Sequence, residues 1–315
     1  MFKKLYFTAL IICSFLSVNA QTVFKVVPLG VLGGSDESNL SAYMLAPKNS
    51  SHYVCLDAGT LKAGINKAVN KKIFRSTAEQ ILKDSIKGYL ISHGHLDHLA
   101  GLVLNSPDDS AKPIYAANYV LDVFKKHYFS WDSWANFGSE GEKPILSKYQ
   151  YVSLTPGKEQ VLQNTEMYVN AFPLSHSEPY QSTAFLVRYQ QNYLLYLGDT
   201  GSDSIEKSQK LDSLWRFIAP MIQSKALKAI FIETSFPNSQ PDKSLFGHLT
   251  PKLLMQEMAH LSKYTGEAAL KNFNLVVTHV KPNGNHIQEI KTEIKDLNTL
   301  KFNLIFPEQG QKLLF

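Results

Sequence analysis

Four metal-ligand side chains crowd a single stretch of six residues, His93-Gly94-His95-Leu96-Asp97-His98. The apolar residues just before it predict the end of a buried strand. A helix would direct His93 and His95 to different faces, whereas a loop that leaves a strand can direct both at one point. Imidazole nitrogens and carboxylate oxygens are ligands of zinc and similar divalent ions. Four such groups are many for one tetrahedral ion with an open position, so the spacing predicts two metal ions.

More ligand-type side chains follow apolar, strand-like runs: His176, Asp199, Glu233 and His279. His248 stands just before Thr250 and Pro251, at a predicted helix start. Repetition of this pattern is what a metal site built at strand ends requires. The alternative is a histidine-rich surface turn, and it is disfavoured because clustered imidazoles would repel one another on protonation without an ion to bind them.

Two further features each allow two interpretations. Asp57 ends the apolar run 53–56, where it can either accept a hydrogen bond from a metal-binding histidine or cap a turn. Residues 128–144 are rich in aromatic side chains. They could stack on a nucleobase or another flat apolar group, but a hydrophobic flap that packs on its own helix is the favoured interpretation.

The first twenty residues have the pattern of a secretory signal. Lys3 and Lys4 precede an apolar stretch, and Val18-Asn19-Ala20 fits a small-residue cleavage site. The stretch of about 14 residues is shorter than the ~20 that span a bilayer. We therefore expect residues 1–20 to be a signal peptide, and the mature chain to be exported to the periplasm or secreted without stable membrane association.

The remaining composition is that of a globular protein, with 44% hydrophobic and 19% charged residues in a chain of 315. The net charge of +5 is too small to indicate nucleic-acid binding, and signal cleavage would lower it further. Cleavage would also remove Cys13 and leave Cys55 alone, so no internal disulfide is expected. Without repeats or a clear linker, residues 21–315 are predicted to form one domain, and the oligomeric state is left open, a homodimer included.

At family level the motifs resemble a known group of proteins. The histidine motif, followed in order by His176, Asp199 and His279, resembles the metallo-β-lactamase superfamily. Within it, residues 93–107 and 245–251 are similar to the class II cyclic nucleotide phosphodiesterases, and the resemblance covers nearly all of the chain after residue 20. It implies an α+β fold, an αββα sandwich of two mixed β-sheets packed face to face with helices outside. It also implies a site for two zinc ions at one edge of the sandwich.

Carried over by position, the resemblance implies a complete ligand set. One metal would be held by three histidines, His93, His95 and His176. The other would be held by Asp97, His98 and His279. Asp199 would bridge the two ions. The expected cofactors are therefore two divalent metal ions, with zinc as the best fit to these ligands.

The implied reaction is hydrolysis of a small 3′,5′-cyclic nucleotide, cyclic AMP or cyclic GMP, to the 5′-nucleotide by a hydroxide shared between the metals. Asp97 would also orient that hydroxide. His248 would contact the phosphate or protonate the leaving oxygen. Glu233 would help to bind the substrate or orient His248 or a metal ligand, with a purely structural role as the alternative. No base-reading residue distinguishes cyclic AMP from cyclic GMP.

Two other classes of function are compatible with the same residues. One is a different hydrolase on this fold, such as an exported lactonase or β-lactamase, or an RNA-processing nuclease, which export and weak charge disfavour. The other is a zinc-binding module without catalysis. Seven ligand-type residues for two ions favour a working enzyme over that module.

Overall fold

The computed structural model describes residues 22–315, so the predicted signal peptide lies outside the described residues. Fourteen strands in this part of the chain form two seven-stranded sheets. The first has the order β14-β1-β2-β3-β4-β5-β6 and is built from Leu313–Leu314, Phe24–Gly30, Ala42–Pro47, Tyr53–Leu56, Ile86–Leu90, Lys112–Ala116 and Tyr149–Ser153. The second has the order β13-β12-β11-β10-β9-β8-β7 and is built from Asn303–Ile305, Asn274–Thr278, Leu227–Glu233, Asn192–Leu197, Gln181–Tyr189, Tyr168–Ser175 and Gln160–Val161.

Both sheets are mixed, and each is antiparallel over its early strands and parallel over later ones. The helices are α1 (Lys62–Asn70), α2 (Ala78–Gln80), α3 (Leu96–Asn105), α4 (Asn118–Val123), α5 (Asp203–Glu206), α6 (Lys210–Gln223), α7 (Pro251–Thr265), α8 (Glu267–Leu270) and α9 (His286–Leu297). π-helical turns continue α2 over Ile81–Ser85 and α4 over Phe124–Tyr128, and a 3₁₀ turn covers Asp242–Ser244. Within residues 22–315 none of the helices combines the length and apolar composition needed to cross a bilayer.

The side chains of β2 alternate between two apolar cores, and this alternation explains the layers of the fold. Tyr43 and Leu45 point into an apolar core shared with strands of the second sheet, whereas Met44 points into a separate core beneath the helices. This period of two places one face of each strand between the sheets and the other against helices. Helices α6, α7 and α9 cover the outer face of the second sheet in a third core. The resulting αββα sandwich confirms the predicted α+β fold.

The strand predicted to end just before the histidine motif is present. The strand before the motif is β4, and α3 begins directly after His95. Helix α2 begins after Thr77, with a capping box in which Thr77 and Gln80 exchange side-chain to backbone hydrogen bonds. It then widens into a π-helical turn and passes directly into β4.

Below the first sheet, a buried ion pair joins the turn that follows α3 to the first residue of β5. The Lys112 ammonium lies 2.7 Å from Asp109 Oδ1, and the hydroxyls of Tyr89 and Tyr149 donate to Asp109 Oδ2 at 2.7 and 2.9 Å. Burial lowers the pKa of Lys112, which the carboxylate counteracts. We expect Asp109→Ala to lower the free energy of unfolding by about 3–5 kcal/mol, because it leaves a buried cation unpaired.

Urea denaturation of the Asp109→Ala variant followed by circular dichroism measures this loss. Asp122→Ala is the control, since Asp122 pairs with Lys125 at the surface, where ion pairs contribute about 1 kcal/mol or less. Equal stability of the two variants would contradict a structural role for the Asp109 pair.

Candidate metal centre

The histidine motif occupies the loop between β4 and α3 and the first turn of that helix. His93 and His95 lie in the loop, and Asp97 and His98 lie in the first turn. The loop is held at its start by Ser92, whose backbone N–H and hydroxyl donate to the buried carboxylate of Asp57 at 2.7 and 2.8 Å. Because the loop after β4 is fixed by these hydrogen bonds, it directs the four side chains to one place.

The later ligand-type residues come from the second sheet, at the same edge of the sandwich. His176, Asp199 and His279 follow the last residues of β8, β10 and β12, respectively. Strands β10 and β12 are both parallel to β11, and β8 runs in the same direction, so the carboxyl ends of all three lie together. The strand-then-ligand pattern thus brings distant parts of the chain to the histidine loop.

Three histidines form the first group of ligand atoms. His93 Nε2 lies 3.0 Å from His95 Nδ1, and His176 Nε2 lies 3.3 Å from the same atom. The carboxylate of Asp199 is 3.7 Å from His93 Nε2 and 3.8 Å from His176 Nε2. All four side chains offer atoms within 4.8 Å of one another. Nitrogens bound to one tetrahedral zinc at about 2.0–2.1 Å have comparable separations.

Asp97, His98 and His279 form the second group. Asp97 Oδ2 lies 3.1 Å from His279 Nε2, and Asp97 Oδ1 lies 4.0 Å from His98 Nε2. Asp199 closes this group too, with its Oδ1 and Oδ2 atoms each 3.3 Å from one of the two histidines. Asp199 therefore lies between the two groups, where a bridging ligand is expected.

Three observations show that these residues fit divalent metal ions. Burial lowers the pKa of His93 well below its usual value and that of His176 to about 4, so these rings are neutral and offer a lone pair. Nε2 of His98 is buried and makes no hydrogen bond. Burial also opposes charge on His98, yet Asp199, Asp57 and Asp97 hold its pKa well above the usual value. The neighbouring carboxylates thus favour positive charge at this point.

Each buried ligand histidine is oriented through its second ring nitrogen. His98 Nδ1 lies 2.7 Å from Asp57 Oδ2, and the same oxygen accepts from the Tyr196 hydroxyl at 2.7 Å. This contact confirms the first of the two interpretations of Asp57. The other contacts join His93 Nδ1 to Ser92 Oγ (3.0 Å), His176 Nδ1 to the Gly247 carbonyl (2.9 Å) and His279 Nδ1 to Ser235 Oγ (2.9 Å). Such partners set the tautomer and ring orientation of metal-binding histidines.

His248 lies beside both groups of candidate metal ligands, and its ring is oriented by Glu233. His248 Nδ1 is 2.7 Å from Glu233 Oε1, and Glu233 raises the pKa of His248 against the opposing effect of burial. The Glu233 carboxylate also accepts from the backbone of Thr200 at 3.0 Å and the hydroxyl of Ser235 at 2.7 Å. Glu233 is fully buried. Direct contact with a substrate would require it to leave these partners, so its position favours orientation of His248.

Lys281 is a site residue that the sequence analysis missed. Its Nζ lies 3.1 Å from His248 Nε2 and 4.8 Å from the centroid of the Phe236 ring. Lys281 is partly exposed and stands two residues after His279. A cation immediately after a strand-end ligand is a sequence signal that could have pointed to it. The ammonium adds positive charge next to the candidate metal ligands.

Comparison with known proteins identifies the family. The family model for class-II cAMP phosphodiesterases matches residues 22–304. The chain belongs to this family. A 3′,5′-cyclic-nucleotide phosphodiesterase of Aliivibrio fischeri is 40% identical over the full length of both chains. A probable 3′,5′-cyclic-nucleotide phosphodiesterase of Yersinia pestis is 36% identical and covers 96% of this chain and 92% of its own.

Solved structures agree with the fold expected of a class-II phosphodiesterase. Unliganded yeast PDE1 superposes with a TM-score of 0.83 at 21% identity, over 94% of this chain and 100% of its own. The metallo-β-lactamase fold protein YhfI from Bacillus subtilis superposes with a TM-score of 0.61 at 17% identity, over 93% and 100% of the two chains. The predicted metallo-β-lactamase fold is confirmed. Family membership favours a phosphodiesterase over the lactonase, β-lactamase and non-catalytic alternatives.

In this class-II phosphodiesterase the aromatic segment 128–144 packs mainly on its own surroundings. Phe129 is fully buried and stacks on Phe124 and Tyr149, with ring centroids 5.6 and 5.9 Å apart. The Trp134 indole N–H donates to Ser106 Oγ at 3.0 Å. This packing supports the favoured interpretation as a hydrophobic flap, and Tyr128 at its start also lines a cavity beside His95.

Gly33 gives a way to disturb the second ligand group of this phosphodiesterase without removing a ligand. A Cβ atom at this position would overlap the imidazole ring of His279. We expect Gly33→Ala to displace that ring, to lower metal retention and to reduce hydrolysis of cyclic AMP at least ~10-fold, because ligands must hold their geometry closely. Metal content by mass spectrometry and initial rates measure the effect.

Gly157→Ala is the matched control, because nothing lies within 4 Å of a Cβ there and its cost is limited to the backbone, whose φ is +77°. Unchanged metal content and rate in the Gly33→Ala variant would contradict the placement of His279 as a ligand.

Proposed function

We propose that this protein hydrolyses 3′,5′-cyclic nucleotides to 5′-nucleotides with two divalent metal ions, and that zinc is the metal. The observation that carries the proposal is the position of the Asp199 carboxylate, within 3.3–3.8 Å of ligand atoms from both groups. The names of the relatives, which are 3′,5′-cyclic-nucleotide phosphodiesterases, support the substrate class. Histidine-rich ligand sets with few carboxylates support zinc over magnesium or calcium.

In this proposal the two ligand groups act as a pair. His93, His95 and His176 would hold the first metal, Asp97, His98 and His279 would hold the second, and Asp199 would serve both. Bound there, two divalent ions supply Lewis-acid charge to a phosphate oxygen and lower the pKa of water toward neutrality. Asp97 is fixed by the Gly34 backbone N–H, which donates to its Oδ2 at 3.1 Å. This fixed carboxylate orients the attacking water.

The chain also supplies the groups that act on the phosphate and the leaving oxygen. Water attacks phosphorus and releases one proton to the solvent, the bond from phosphorus to the 3′ oxygen breaks, and that oxygen takes up a proton to give the 5′-monophosphate. His248 Nε2 is the atom that delivers the proton, with Nδ1 held by Glu233 at 2.7 Å. Lys281 Nζ, 3.1 Å from His248 Nε2, contacts the phosphate and stabilises its charge.

The test is hydrolysis of cyclic AMP and cyclic GMP by purified residues 21–315, with chelator and with zinc added back. Chelator-sensitive release of 5′-AMP or 5′-GMP, resolved by chromatography from the 3′-monophosphates, is the expected result. No product from either nucleotide, in protein that carries about two metals per chain, would overturn the proposal. Ring opening of a lactone or a β-lactam by that same protein would then favour the other hydrolase branch.

We also propose that the protein is exported to the periplasm or secreted, with cleavage after Ala20. The basic start, the short apolar stretch and the small residue at the cleavage site support this proposal. Expression of the full chain in a Gram-negative host, fractionation and mass spectrometry of the amino terminus test it. Protein that begins at Gln21 in the periplasm or medium is expected, whereas cytoplasmic protein that retains residues 1–20 would contradict export.

A further inference from the structure

A cavity of about 500 Å³ lies directly against the first ligand group. His93, Gly94 and His95 line it on one side, and its two walls are residues from α4 with its π turn and residues 179–181, which lead into the start of β9. This volume is within the range of small-molecule sites, which are commonly about 300–1,000 Å³. The cavity therefore offers room for a substituent of a molecule whose phosphate lies at the metal ligands.

The helical wall is mostly apolar. Tyr119, Val123 and Tyr128 line it. The Tyr119 hydroxyl donates to the Ser92 carbonyl at 3.2 Å, and the Tyr128 hydroxyl donates to the Gly94 carbonyl at 2.8 Å. Both tyrosines are thus tied to the histidine loop, so the wall and the candidate metal ligands keep a fixed relative position.

The opposite wall of the cavity carries the solvent-exposed aromatic ring of Tyr180. Tyr180 is 60% exposed, and its ring stands nearly perpendicular to that of His95, with an interplanar angle of 68° and ring centroids 4.9 Å apart. An edge-to-face contact of this kind is a favourable arrangement of two rings. The exposed remainder of the ring is available for stacking by a flat ligand.

Polar groups are few and lie at the two walls. His127 and Gln181 line the cavity and are both exposed. Each can donate and accept hydrogen bonds. An apolar cavity with an exposed ring and a small number of such groups is the arrangement that binds a heterocyclic base, which offers a flat face and a polar edge.

We propose that this cavity binds the nucleobase of the cyclic nucleotide, with Tyr180 stacked on the base and with His127 and Gln181 at its polar edge. The inference rests on the proposed function. In a 3′,5′-cyclic nucleotide the phosphate is fused to the ribose, so a phosphate held at the metal ligands leaves the base little freedom of position. The cavity beside His93 and His95 is where the base then lies.

The test compares cyclic AMP with 1-O-methyl ribose 3′,5′-cyclic phosphate, which keeps the cyclic phosphate and lacks the base. In Tyr180→Ala we expect about a 10-fold higher KM for cyclic AMP, because stacking on an aromatic side chain is lost. The kinetic constants for the base-free compound should not change. Tyr180→Phe keeps the ring and should behave as the unmodified chain. Trp131→Ala is the matched control, since Trp131 is 41% exposed in the aromatic segment and its indole donates to the Pro144 carbonyl.

Equal loss on both substrates in Tyr180→Ala, or no loss on either, would overturn the base subsite. A similar KM for the two substrates in the unmodified chain would overturn it as well. Failure of the unmodified, metal-loaded chain to hydrolyse either compound would instead overturn the proposed function, so the two failures are distinguishable. Unchanged melting temperatures of the variants exclude unfolding as the cause.

Discussion

Replacing Asp199 with asparagine should lower hydrolysis of cyclic AMP by at least about 1,000-fold and reduce the bound metal below two ions per chain. The carboxylate lies 3.3 Å from His98 Nε2 and from His279 Nε2, and 3.7 Å from His93 Nε2. Asparagine keeps the shape of the side chain and removes the negative charge that both ligand groups share. Metal ions stabilise the transition state by several kcal/mol, and each 1.4 kcal/mol corresponds to tenfold in rate.

Metal content by inductively coupled plasma mass spectrometry and kcat/KM for cyclic AMP measure the two parts of this expectation. Asp212→Asn serves as the control, because Asp212 pairs with Arg216 at 2.8 Å on the surface of α6. That variant should keep its metals and its rate. An Asp199→Asn variant with two bound metals and normal turnover would refute the shared-ligand role.

Replacing His248 with alanine should lower kcat for cyclic AMP by about 100- to 10,000-fold while the bound metal stays unchanged, as expected for loss of an acid or base that transfers a proton. Nδ1 of this ring is occupied by Glu233 at 2.7 Å, so the reactive atom is Nε2, which lies 3.1 Å from Lys281 Nζ. The single-turnover rate of the variant should therefore fall, while its metal content should stay the same.

Metal content decides between two roles for His248. Asp199, His248 and His279 also offer ligand atoms within 4.8 Å of one another, so the ring could itself bind an ion. Loss of metal in His248→Ala would contradict the proton-transfer role and favour that alternative. His260→Ala is the matched control, since His260 lies half exposed on α7.

Glu233 acts through His248, and its effect should be visible in the pH dependence. Glu233→Gln removes the charge that raises the pKa of His248, so the pH optimum of kcat should move to lower pH. A purely structural role would lower the yield of folded protein and leave the pH profile in place. Comparison of pH profiles for Glu233→Gln and the unmodified chain therefore tests the positioning role.

Local sequence accounts for much of the candidate site. The spacing of His93, His95, Asp97 and His98 after an apolar run is a local property, because a strand that ends in a loop presents these side chains whatever surrounds it. His279 is marked in the same way by the apolar run before it. Residue types at strand ends thus identify a ligand set before any long-range contact is known.

The sequence did not predict which residues far apart in the chain would be in contact. Tyr180 lies against His95, and Lys281 lies against His248, although tens of residues separate the members of each pair. Asp57 had two equally good local explanations, and the contact with His98 Nδ1 decided between them. In each case the deciding partner comes from another element.

The sequence by itself indicated the residues that can bind metal, because ligand types that follow apolar runs are a property of neighbouring residues. Its resemblance to a known family implied the class of protein and the αββα fold. Only the tertiary structure decided that Asp199 lies between the two ligand groups, that Glu233 is buried behind His248, and that an open cavity adjoins His95. Those relations depend on how two sheets pack and on which strand ends meet at one edge. They arise from contacts across the fold, which no local pattern of residues records.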